Sequence, residues 1–184
     1  MDSKNPIITV RMQSGGSFAF ELYPAHAPNA CNSVINLALA GAYDNMTIDR
    51  IVPGFVVQPR YADEGRPDLD FSIAGEFAAN GFACGLPIQT GMVAMAGDGA
   101  KAASGSAFFF TMGEHPRLVD HYTVIGKVIE GWDEVKRLEA VETAPVDIGV
   151  PGVSVNAPVV PEIMEKVTVE TFGVAYPAVI KLAE

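Results

Sequence analysis

Between residues 17 and 22 the chain alternates, with Phe18, Phe20 and Leu22 separated by Ala19 and Glu21. A period of two marks a strand with one buried face. Residues 7–12 form a second apolar run, and Gln13-Ser14-Gly15-Gly16 between the two runs carries turn chemistry. Together they predict an N-terminal hairpin. The pattern then changes. Pro28 or Asn29 opens a segment in which Val34, Leu37 and Ala38 share one helical face, and Gly41 closes it, so a helix is predicted to about Ala40. Strands are predicted at 46–51 and 55–58, broken by Pro53-Gly54, and again at 92–96, 106–112 and 123–128. Trp132, Val135 and Leu138 are spaced three apart and predict a second helix beginning near Gly131. Val167, Val169 and Thr171 alternate in a last strand.

Between these elements the chain is punctuated. Residues 61–90 are rich in Gly, Pro, Asp and Ala and read mostly as loop with short extended pieces. Residues 140–161 hold Pro145, Pro151, Pro158 and Pro161 with few charges and read as a surface loop. The tail after 174 reads as a short extension. Many short strands, two helices and no regular strand–helix alternation predict a mostly β fold, a closed antiparallel barrel. The chain of 184 residues suits a single domain, with a core over about 7–172.

Charge narrows the function. The formal net charge is −10, which disfavours phosphate backbones and anionic membrane surfaces, both of which need clustered Lys and Arg. The opening residues hold no apolar signal segment and no later run could span a bilayer, so the default expectation is a cytoplasmic protein. Cys31 and Cys84 do not make a disulfide framework and are expected to be buried and inert. His26, His115 and His121 lack ligand spacing, so neither a metal nor another cofactor is expected. Gly97-Asp98-Gly99 has the wrong spacing for a phosphate loop.

Two segments hold candidate chemistry. In residues 49–58 a single Arg50 stands among apolar neighbours, with Phe55 five residues on and Gln58 eight on. By pattern alone an ordinary surface arginine is the better reading. In residues 105–110 Phe108, Phe109 and Phe110 are consecutive, so an extended chain sends Phe109 to the face opposite its neighbours. Pattern alone still favours three core residues.

Taken in order, the runs Arg50-x-x-Pro53-Gly54-Phe55-x-x-Gln58, Gly91-x-x-x-Met95-Ala96, Gly105-Ser106-x-Phe108-Phe109, then Leu118 and Val124-Ile125-Gly126-Lys127-Val128, resemble the signatures of the cyclophilin-type peptidyl-prolyl cis/trans isomerases. Phe20-Glu21-Leu22-Tyr23 and Ile73-Ala74-Gly75-Glu76-Phe77 resemble further family segments, and the likeness spans about 7–172. Any one run is weak, but the ordered set is specific. The resemblance implies a closed eight-stranded barrel capped by two helices. It places Arg50, Phe55, Gln58, Ala96, Phe109 and Leu118 at a substrate groove, with Arg50 and Gln58 catalytic. It implies proline-containing peptides and folding proteins as partners, and nothing in it demands more than a monomer.

The departures are informative. Val56 stands where the family usually has Met, and Tyr122 where many members have His. Bacterial-type members often carry Tyr there. Gly97 replaces a residue that pairs through its backbone. Pro59-Arg60 replaces Gly-Gly, so the following loop is expected to differ. Ala107 occupies the place of a Gln that bonds substrate backbone, and Arg117 the place of an aromatic, usually Trp, at the pocket edge. The last change is expected to weaken cyclosporin binding, which uses that ring in the family. Ala107 and Arg117 together keep a second expectation open, a proline-peptide binding module with little catalysis.

Overall fold

The computed structural model describes residues 4–60, 66–82, 86–148 and 154–183. The N-terminal hairpin is β1 (Ile7–Met12) and β2 (Ser17–Leu22), paired from Ile7–Glu21 to Arg11–Ser17. After α1 (Pro28–Leu39) come β3 (Met46–Val52) and β4 (Val56–Pro59), then the short β5 (Ser72–Ala74). β6 (Met92–Gly97), β7 (Ala102–Thr111) and β8 (Val124–Glu130) follow, then α2 (Trp132–Glu139), β9 (Thr143–Asp147), β10 (Ser154–Pro158) and β11 (Ile163–Glu170).

The main sheet runs β4-β3-β11-β1-β2-β8-β6-β7-β5, and β4 also pairs with β7 through Val56–Thr111 and Val57–Phe110. That last pairing closes eight antiparallel strands into a barrel. β7 is ten residues long, and one edge serves two partners, β4 at its end and β5 at its start. At Gly126 of β8 a side chain would strike the Glu21 carbonyl of β2, so only glycine lets the two backbones meet there.

The barrel interior is aromatic and dry. Phe18 and Phe110 meet edge-on with centroids 5.2 Å apart, Phe20 lies 5.6 Å from both Phe108 and Phe110, and Tyr43 lies 5.4 Å from Phe108. Ile8, Val10 and Met12 fill the same space from β1. Each such side chain contributes about 1.5–3 kcal/mol on burial.

α1 begins with Pro28 in its first turn, and Ala27 before it offers no side-chain cap. The cap comes from Glu76, whose carboxylate accepts the Asn29 and Ala30 N–H groups at 2.9 and 2.8 Å. Glu76 is only 3% exposed, and burial raises its pKa against the pull of those two bonds.

Two expectations change, and a third gains its contacts. Residues 140–161 are not plain loop: β9 and β10 form a hairpin, with Val146 opposite Val155 and Pro145 opposite Asn156. A lone hairpin tolerates proline wherever its nitrogen faces an outer edge, which the proline count alone hides; Pro151 lies outside the described residues. β7 begins at Ala102 and β11 at Ile163, both earlier than the apolar signal suggests, because pairing with neighbours carries Ser- and Lys-containing stretches into the sheet. The tail is placed: Asn29 and Ile180 bond reciprocally at 2.9 and 2.8 Å, Asn36 donates to the Pro177 carbonyl, and the Leu182 N–H reaches Ser72 on β5.

Cys31 is buried in the core, and burial drives its thiol pKa far above the ordinary range; Cys84 lies outside the described residues. Arg60 is buried with a left-handed backbone (φ 50°) and donates to Ser106 Oγ at 3.2 Å; the loop that follows it, 61–65, lies outside the described residues.

Candidate functional site

Strict alternation along β3 would put Arg50 on the face of Met46 and Ile48, inside the barrel. The register shows why it is not there. Ile48 pairs with Pro59 but Arg50 pairs with Gln58, so Asp49 is an extra residue and forms a bulge. The bulge swaps the faces. Ile51 becomes the next core residue, and Arg50 turns outward beside Gln58.

There Arg50 is half-buried. Its Nη1 donates to Gln58 Oε1 at 3.4 Å, and its guanidinium carbon stands 5.7 Å from the centre of the Phe55 ring. Gln58 is 4% exposed, so its amide is fixed by packing. A guanidinium remains charged at any physiological pH, and its planar fork presents donors in set directions.

Phe55 is set by the turn before it. Gly54 has φ 73°, a conformation suited to glycine, and the Phe55 N–H bonds to the Val52 carbonyl at 2.9 Å. A carboxylate oxygen of Glu139, on α2, accepts the Gly54 N–H at 2.6 Å. The Phe55 carbonyl accepts the Met112 N–H at 2.8 Å, and its ring meets the His115 ring edge-on at 4.8 Å.

Phe109 leaves the opposite face of β7 from Phe108 and Phe110, as period two requires. It packs with Val56, Ala94 and Val124 in a second apolar cluster outside the barrel, and its ring meets Tyr122 at 5.7 Å. Leu118 closes the socket from the single helical turn Pro116–Leu118, held by its N–H on the His115 carbonyl at 3.0 Å. Ala96 and Gly97 border the groove where β6 parts from β7: Met95 pairs with Phe108, but Gly97 with Ala103.

The groove so formed has a volume of about 190 Å³ and is lined by Arg50, Gln58, Phe55, Val56 and Phe109, with Ala96, Gly97, Leu118 and Tyr122. Two expected residues do not line it. Ala107 is buried, with its N–H given to Ser104 Oγ at 2.9 Å, because the β6–β7 separation leaves β7 to satisfy itself there. Arg117 is exposed and borders an adjoining hollow with Phe55, Glu114, His115, Pro116 and Leu118. Glu139 and His115 support the site without any signal in the sequence. Glu139 lies 85 residues from its partner.

Among the described residues no cluster of His, Cys, Asp and Glu could hold a metal, and no helix is long and apolar enough to cross a membrane. The chemistry on offer is one cation beside an aromatic socket that opens to solvent.

The chain is similar to known proteins. The family model for cyclophilin type peptidyl-prolyl cis-trans isomerase/CLD matches residues 7–167. Peptidyl-prolyl cis-trans isomerase-like 1 of Aspergillus niger is 36% identical over 158 residues, covering 77% of this chain and 87% of that protein. Peptidyl-prolyl cis-trans isomerase CYP18-2 of Arabidopsis thaliana is 32% identical over 142 residues, covering 73% and 81%. The crystal structure of a Cryptosporidium parvum cyclophilin type peptidyl-prolyl cis-trans isomerase superposes with a TM-score of 0.73 at 21% identity, over 90% of this chain and 98% of that one. The same protein in the presence of the dipeptide Ala-Pro also gives 0.73 at 21% identity. The eight-stranded barrel with two helices is therefore a shared fold.

Proposed function

This chain belongs to the cyclophilin-type peptidyl-prolyl cis-trans isomerase family, and from that premise we propose that Arg50 and the socket beside it accelerate rotation about X–Pro bonds in peptides and folding proteins. The amide barrier is about 18–20 kcal/mol because resonance must be broken. An X–Pro bond has two accessible isomers, so a slow equilibrium exists to be accelerated. No covalent bond is made or lost, and the proposal needs no cofactor.

In the twisted amide the proline nitrogen recovers its lone pair and becomes an acceptor. An N–H of Arg50 aimed at that nitrogen binds the twisted form better than either planar form. Such differential binding is what lowers a barrier. Phe55, Phe109 and Leu118 hold the ring, while Gln58 steers Arg50 and can hold a substrate backbone group. The observation that carries the reading is the guanidinium held between Gln58 and the Phe55 ring at the lip of the socket.

The test is isomerisation of an X–Pro peptide by the wild type and by Arg50→Ala. The variant should lose about 10²–10³-fold in rate, the range for removing one preorganised donor. Equal rates would remove Arg50 from the mechanism, and uncatalysed rates in both would defeat the enzyme reading.

A second reading draws on Ala107 and Arg117: a module that binds proline peptides without useful catalysis. Its support is that β7 offers no side-chain amide at Ala107. Exchange spectroscopy of a bound peptide separates the two, since the module leaves the exchange rate unchanged. The proposal also has the chain acting as a monomeric cytoplasmic protein with weak affinity for cyclosporin. Sedimentation, localisation of the tagged chain and titration with the drug test those points.

A further inference from the structure

The groove and the hollow beside it share a wall made of Phe55 and Leu118. The hollow, of about 410 Å³, is lined beyond that wall by Glu114, His115, Pro116 and Arg117. An extended peptide advances about 3.3–3.6 Å per residue, so a chain leaving the socket over this wall meets Arg117 within a few residues of its proline.

Arg117 differs from most cations of the protein. Arg11, Arg66, Lys136, Arg137 and Lys166 are held in ion pairs. Lys4 and Lys181 stand over aromatic rings, and Arg60 is buried on Ser106. Arg117 is exposed, makes no hydrogen bond or ion pair among the described residues, and sits on a turn whose backbone is fixed by Pro116 and by the Leu118 N–H. Lys101 and Lys127 are also exposed, but neither borders the groove or this hollow. In a chain of net charge −10, an unengaged guanidinium at the exit of the site offers an acidic side chain a local partner. Its fork suits a carboxylate.

Building on the isomerase reading, we infer that Arg117 sets substrate preference: it selects X–Pro segments carrying an acidic side chain on the one side of the proline that leaves over Phe55 and Leu118. Glu114 faces the same hollow and is exposed. It opposes the preference, so the net effect is that of an exposed ion pair, about two- to five-fold, screened by salt over a Debye length of about 8–10 Å.

The experiment uses the full chain and a neutral X–Pro parent peptide, with Glu or Lys placed in turn at the neighbouring positions on either side. Binding and exchange are both read by NMR. Glu should be favoured over Lys by about two- to five-fold on one side only, and the ratio should fall toward one in high salt. Arg117→Glu should invert the ratio, Glu114→Gln should enlarge it, and Lys127→Glu, which makes the same charge change on β8, should leave it. A ratio of one at every position, or a ratio unmoved by Arg117→Glu, overturns the inference. If no peptide exchanges faster than uncatalysed while the affinities still follow Arg117, the isomerase reading fails and the charge preference stands.

Discussion

Phe108 and Phe109 are neighbours in sequence and belong to different parts of the molecule. Phe108 points into the barrel, against Phe20 and Tyr43, where every neighbour is buried. Phe109 is almost as deeply covered, yet it packs outside the barrel with Tyr122 and borders the groove. Burial alone therefore does not separate a structural aromatic from a functional one. What separates them is the face of β7 each leaves, and whether the cluster it joins has an opening.

The sharpest test of that contrast is Phe108→Ala. Its large buried ring should cost about 3–5 kcal/mol of stability, read by denaturant unfolding, with activity lost only as the protein unfolds. Arg50→Ala, on the other face, should reverse the pattern, losing activity while the unfolding midpoint stays near that of the wild type. Phe109→Ala comes next. It should lower kcat/KM at least ten-fold while costing less stability than Phe108→Ala, because the groove already opens to solvent beside it. A stability loss equal to that of Phe108→Ala would erase the distinction between the two clusters.

Glu139→Ala removes the acceptor for the Gly54 N–H and frees the turn that sets Phe55. About 0.5–1.5 kcal/mol is at stake, the net worth of a hydrogen bond, and it should emerge mainly as a raised KM, restored by Glu139→Gln. The smallest effect concerns the scaffold. Because the Glu76 pKa is raised in the folded state, its protonated form is the better tolerated one. Its contribution to stability is full below the ordinary Glu pKa and declines as pH rises through the raised value. Melting temperatures of the wild type and Glu76→Gln, compared from about pH 4 to about pH 6, should therefore shift in favour of the variant as pH rises. A flat difference would mean that the helix cap holds the carboxylate at its ordinary value.

Much of the scaffold was legible from alternation. Phe18, Phe20 and Leu22 predict β2 and its buried face, and the spacing of Trp132, Val135 and Leu138 predicts α2, because both patterns are local consequences of backbone geometry. The likeness of short runs to a known family placed Arg50, Phe55 and Phe109 at one groove, where pattern alone preferred a surface arginine and three core phenylalanines. The hairpin of β9 and β10 was hidden by its prolines, and the start of β7 at Ala102, ahead of the predicted 106–112, by its opening Ala and Ser residues, since neither signals strand without a partner.

The sequence by itself determined which residues must leave water and in what local period, since those depend on side-chain chemistry and near neighbours. The tertiary structure decided the rest. The bulge at Asp49 turns Arg50 out of the barrel, the pairing of β4 with β7 closes it, and Glu76 and Glu139 reach across 46 and 85 residues to cap a helix and hold a turn. These depend on which distant backbone groups are left unsatisfied once the core has formed, and no local pattern encodes that.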